Sequence, residues 1–159
     1  MNNLKKLSSV LFLAVCSIVF FSCKKDSDTA PKQLTPSETL ASISWLTTNA
    51  KNSAGADVAL NDPNVSNFVG YAYFKADGTF TMFNLDDSPK MHGDWSVPAD
   101  GKTRTVVAKD ANGAVLFTRV VDIVVLTQQE FTYRVFPDAT DKTIYFDIIH
   151  TPTTHTEPK

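Results

Sequence analysis

The residues best suited to chemistry in this chain are its three histidines, His92, His150 and His155. His92 and Asp94 stand two positions apart, a spacing that puts both side chains on one face of a strand. With His150 as a third donor they would approach the ligand set of a zinc site. The competing reading is a pair of surface residues facing a neighbouring strand. No His-rich or Cys-rich spacing accompanies them, so neither a metal nor a cofactor is expected. His155 sits in a polar C-terminal stretch and is expected in solvent. Asp86-Asp87-Ser88 offers carboxylate oxygens but lacks the ligand spacing of a dedicated calcium loop, and reads as a solvated turn. Nucleophilic catalysis has no visible home either. The chain has no G-x-S-x-G elbow, no phosphate-cradling glycine loop and no dinucleotide fingerprint. No catalytic residue is assigned, and the chain is not read as an enzyme.

Aromatic residues are the enriched class, with 11 Phe, 4 Tyr and 2 Trp. Most fall in segments that read as strands, where they either fill a core or line an apolar ligand cavity. If a cavity exists, Trp45, Tyr71, Tyr73, Trp95 and Tyr133 are its expected lining. Trp and Tyr combine an apolar body with a polar handle, which suits a site that must hold and orient a ligand.

The elements that position these residues are strands. Residues 69–97 read as three consecutive antiparallel strands, with Val69, Tyr71 and Tyr73 in one phase, Phe80 and Met82 in the next, and Gly93, Trp95 and Val97 in the third. Trp95 is expected among the most buried residues. Ala76-Asp77-Gly78 supplies the turn between the first two strands. Asp100-Gly101 and Asn112-Gly113 announce two more hairpins. Residues 115–126 form a long apolar run, expected to bend near Asp122 and to be covered partly on both sides. Phe131, Tyr133 and Val135 follow, then Ile144, Phe146 and Ile148. Ahead of all these, Thr35-Pro36-Ser37-Glu38 carries the signature of a capped helix start, with Leu40 and Ile43 on its buried face. A single helical turn is expected near residues 65–68. The sum is about eight or nine short strands joined by tight turns, with one short N-terminal helix. That is an all-β chain, a sandwich or an antiparallel up-and-down β-barrel, with the barrel or a strongly curved sheet preferred.

The first residues carry an address. Lys5 and Lys6 precede a nearly unbroken apolar run at 7–21, too short for a comfortable membrane span, and Ser22-Cys23 follows. Phe20-Phe21-Ser22-Cys23 resembles a bacterial lipoprotein signal, cut before a Cys that is then lipidated. An ordinary signal peptide with an incidental Cys is the alternative. The only other cysteine, Cys16, lies inside the signal, so the mature chain has no internal disulfide partner for Cys23. The expected organisation is a signal at 1–22, a polar tether at 23–34, one domain at 35–152 and a tail at 153–159. With 15 Lys+Arg against 17 Asp+Glu, the chain is mildly acidic, and nucleic acid is not an expected partner.

Several segments together resemble the lipocalin-like domains of unknown function found in Bacteroidetes-type lipoproteins. They are Ser44-Trp45, Phe74-Lys75-Ala76-Asp77-Gly78-Thr79-Phe80, Gly93-Asp94-Trp95-Ser96-Val97 with Asp100-Gly101-Lys102-Thr103, and Leu126-Thr127 with Glu130-Phe131-Thr132-Tyr133. Ile43 stands where true lipocalins carry the Gly of their Gly-x-Trp opening. The resemblance implies a lipocalin-like barrel with no established activity. It implies a monomeric outer-membrane lipoprotein of the cell envelope, periplasmic or surface-exposed, held to the membrane by the N-terminal lipid. Its expected role is to bind a small apolar ligand without catalysis. The alternative is a structural or protein-interaction lipoprotein with a fully packed interior.

Overall fold

The structure, a computed structural model, describes residues 33–159. The expected signal peptide, the Cys23 lipidation site and nearly all of the tether lie outside the described residues. Eight strands follow one helix: α1 Pro36–Ala41, β1 Ser44–Asn52, β2 Tyr71–Phe74, β3 Thr79–Phe83, β4 Pro89–Ser96, β5 Thr103–Lys109, β6 Val115–Leu126, β7 Phe131–Val135 and β8 Phe146–Thr153. Each strand pairs antiparallel with the next, and β8 returns to pair along β1, closing the barrel in sequence order. Closure removes every free edge, which is how an all-β chain avoids edge-to-edge association. This is the antiparallel up-and-down barrel that the strand spacing predicts.

Local chemistry explains the ends of the elements. The Glu38 N–H donates to Thr35 Oγ1 at 3.2 Å, and the Thr35 N–H donates to Glu38 Oε2 at 2.8 Å, so the capping box at the start of α1 is complete. The hairpin turns share one device, an Asp side chain accepting from the backbone two residues on. Asp77, Asp86 and Asp100 do this toward Thr79, Ser88 and Lys102. Gly93 is required by contact. Its φ is +152°, and a Cβ there would lie 1.9 Å from the Val107 carbonyl oxygen of β5. The expected turn near Phe68 is a 3-10 turn, Ser66–Phe68.

The two ends of the barrel are filled differently. At the end where β1 begins, α1 sets Leu40 over the core, and the Trp45 Nε1–H donates to the Leu40 carbonyl at 3.0 Å. At the other end the segment between β1 and β2 folds inward. Val65 is fully buried there, and the Thr47 hydroxyl donates to the Phe68 carbonyl at 3.0 Å. The middle is close-packed, with Trp45, Phe80, Phe131, Ile148 and Val106 all inaccessible to solvent.

Two expectations need correcting here. β6 is not covered on both faces: Leu116 and Val120 are more than half exposed. A closed barrel has one interior, and among the described residues no second layer packs over β6, so its Val and Ile content reflects strand propensity more than burial. The ladder with β7 does slip between Ile123 and Val125, close to the expected bend at Asp122. Nor is His155 in free solvent. The chain after β8 folds back over the outer face of β2 and β3, where the His155 ring stacks on Tyr71 at 3.9 Å and Glu157 pairs with Lys75 at 2.9 Å.

Candidate functional site

The five residues expected to line a cavity divide into two groups. Trp45 and Trp95 are core packing. Trp45 is fully buried edge-on to Phe131, and Trp95 is 8% exposed with its Nε1–H donated to the Lys75 carbonyl at 3.0 Å. Tyr133 is also inside, between Phe131 and His150. Tyr71 and Tyr73 face outward, because their neighbour Ala72 is the residue that pairs with Trp45 on the inner side. The Tyr73 hydroxyl lies 2.6 Å from His155 Nδ1, and the ring meets Phe83 edge-on. The aromatic phase of β2 therefore lies on the outer face of the barrel, opposite to the inward face its sequence suggests. The tail segment supplies the cover that makes it look like core.

The histidines and aspartates are not gathered into a ligand set. His92 is exposed, Asp94 pairs with Lys109, and His150 is inside the barrel. No group of three potential metal-binding side chains occurs among the described residues. The acidic tip is a turn, as expected, with Asp86 accepting from Ser88 and Asp87 within 3.1 Å of His155 Nε2.

The polar feature of the interior is a pair of arginines. In β5, Arg104 shares the inward phase with Val106 and Ala108 and is only 3% exposed. Its guanidinium carbon lies 4.4 Å from the Tyr133 ring centre, 5.4 Å from Phe131 and 5.5 Å from Phe74. These ring faces attract a cation. The Arg104 Nε is buried with no hydrogen-bond partner, and among the described residues no carboxylate reaches the group. Burial holds the guanidinium below its ordinary pKa, with the Tyr133 hydroxyl acting in the opposite direction. Beside it, the His150 imidazole is held at a pKa of about 3, mainly by burial and then by the Arg104 charge. Its Nδ1 lies 3.2 Å from the Phe131 carbonyl.

Arg119 occupies the same inward phase of β6, opposite Val106, with Val121 opposite Arg104. Its guanidinium carbon sits between Phe68 and Phe117, 5.2 and 5.1 Å from their ring centres. It stands at a cavity of about 300 Å³ that opens between β6, β7 and the segment leading to β8. Phe68, Val121, Val135 and Phe136 give this groove an apolar lining, and Arg134, Lys142 and Asp122 stand at it as well. Arg134 is already satisfied, with its Nε and Nη2 on the two oxygens of Asp147 at 2.7 and 2.9 Å. None of the five expected lining residues lines the groove. The signal for the two arginines was present in the sequence. Each occupies an otherwise apolar phase, Arg104-x-Val106-x-Ala108 and Phe117-x-Arg119-x-Val121, and an inward cation in a strand is unusual enough to mark a site.

No curated protein matches the chain. Among solved structures it is similar to a lipocalin-like protein from Bacteroides uniformis, at 13% identity with a TM-score of 0.48, over 72% of this chain and 99% of that one. A family model described as a domain of unknown function, DUF4822, matches residues 37–159, which is the helix, the whole barrel and the docked C-terminal segment. The chain therefore belongs to the DUF4822 family of domains of unknown function.

Proposed function

We propose that this protein is a cell-envelope lipoprotein whose barrel is a non-enzymatic binding module for a small, largely apolar ligand. The observation that carries the reading is the groove of about 300 Å³ beside β6, where Phe68, Val121, Val135 and Phe136 stand together with the charged side chains of Arg119, Asp122, Arg134 and Lys142. Its volume lies at the lower end of the range for small-molecule sites. A small barrel has an interior that is either just filled or just able to hold one ligand. Here the middle is filled and the space lies at the side. The residues lining the groove offer cations and one carboxylate but no Ser, Cys or His, which supports binding over group transfer.

A neutral environment-sensitive dye such as Nile red should bind the folded domain with enhanced fluorescence. Ala139→Trp, at an exposed position on the groove, should abolish that signal without moving the unfolding midpoint. If the dye ignores the Ala139→Trp change, the groove is not the site. The alternative role, an interaction lipoprotein, draws on the exposed apolar residues of β6, Leu116, Val120 and Val124. An absence of dye binding by the intact domain would favour it.

The lipid anchor at Cys23 is part of the same proposal. Each acyl methylene transferred to the bilayer contributes about 0.8 kcal/mol, so a multiply acylated protein is retained and an unacylated one is not. Cys23→Ser should shift the protein from the membrane fraction to the soluble fraction. Unchanged membrane retention would contradict the anchor.

A further inference from the structure

Two cations inside this barrel have no anionic partner among the described residues. Arg104 is buried against three aromatic rings with its Nε unpaired. Arg119, one register step away on the neighbouring strand, is held between Phe68 and Phe117 at the groove. The two charges act on each other unfavourably. Taking a cation out of water costs several kcal/mol unless an opposite charge or full hydrogen bonding offsets it. Elsewhere on the same groove the chain completes such a pair, giving Arg134 a bidentate carboxylate in Asp147. Among the described residues Arg119 is left without one, at a groove whose lining combines apolar side chains with Asp122, Arg134 and Lys142.

We propose that the groove takes a small amphipathic carboxylic acid, its apolar chain along Phe68, Val121, Val135 and Phe136 and its carboxylate on Arg119, with Arg104 behind as a second source of positive potential. This rests on the reading of the barrel as a binding module and names the chemical class of its ligand. Arg suits the task because its planar fork matches a carboxylate at two points and keeps its charge when partly desolvated. Asp122 also lines the groove, but it is aligned with Arg134 across the ladder and acts on that cation, and among the described residues it forms no ion pair with Arg119.

The test is calorimetric titration of the folded domain with octanoate, octanol and octylamine, on wild type, Arg119→Gln and Arg119→Lys, with circular dichroism confirming that each variant is folded. Octanoate should bind at least about ten-fold more tightly than octanol, the margin expected of a charge-assisted hydrogen bond. Octylamine should bind more weakly than both. Arg119→Gln should remove the preference for octanoate while leaving octanol unchanged, and Arg119→Lys should restore part of it. Equal binding of octanoate and octanol, or an Arg119→Gln variant that keeps the preference, would overturn the acid assignment while leaving the binding module intact. Binding of none of the three, with Nile red still bound, overturns it in the same way. Binding of neither the three probes nor the dye would remove both readings together.

Discussion

Trp45→Ala is expected to lower the stability of the barrel by about 3–5 kcal/mol, the range for removing a large buried aromatic side chain. Trp45 has no exposed surface, meets Phe131 edge-on at 5.8 Å, and ties its indole N–H to the Leu40 carbonyl. Truncation therefore removes the packing of one barrel end and leaves a buried carbonyl of α1 without its donor. Because a domain of this size is stabilised by only about 5–15 kcal/mol in all, the change should be visible as a large drop in denaturant midpoint. Trp45→Phe separates the two contributions, since it keeps most of the ring volume and loses only the N–H. It should recover more than half of the loss. A Trp45→Ala variant within about 1 kcal/mol of wild type would mean that this end of the barrel is not packed as described.

The second large effect is acid sensitivity centred on His150. In the fold its imidazole is neutral, held at a pKa of about 3 by burial and by the Arg104 charge. In the unfolded chain a histidine titrates near 6.5. Between those values the unfolded state binds a proton that the folded state refuses, so stability is complete above about pH 6.5 and falls as the pH is lowered toward 3. The slope corresponds to roughly 2–3 kcal/mol lost by pH 4.5 and roughly 4 kcal/mol by pH 3. The turn carboxylates Asp77, Asp86, Asp138 and Asp141 are held below their ordinary range and add to the loss, but at more acidic pH. Glu157 is held below its ordinary value of 4.5 as well, so the histidine dominates from pH 6.5 to about 5.5 and carries most of the loss down to pH 4.5. Denaturation curves across it should show falling stability for wild type and a nearly flat profile for His150→Phe, which keeps the ring stack with Tyr133 and Phe131. A flat wild-type profile would mean that His150 can charge inside the barrel.

What was legible in the sequence was the chemistry that is local. The helix start is written in Thr35, Pro36 and Glu38, and the hairpins in the Asp and Gly residues of the turns, because those groups act on backbone within a few positions. Strand count and sequential pairing followed from the spacing of such turns. What was not legible depends on distant partners. Tyr71 and Tyr73 look inward because the residue that covers their outer face, His155, comes from far along the chain. The apolar run of β6 looks doubly buried because Val and Ile serve both as core and as strand formers. Arg104 and Arg119 could have been flagged from their phase. Their lack of carboxylate partners is visible only once the barrel is closed.

The most direct measurement of the account is native mass spectrometry of the protein purified gently from its host, followed by extraction and identification of any bound species. The folded domain should carry one small molecule in sub-stoichiometric to equal amount, a largely apolar species that is lost in Ala139→Trp. A folded wild-type domain that carries nothing, and that takes up neither Nile red nor octanoate when these are supplied, would contradict this.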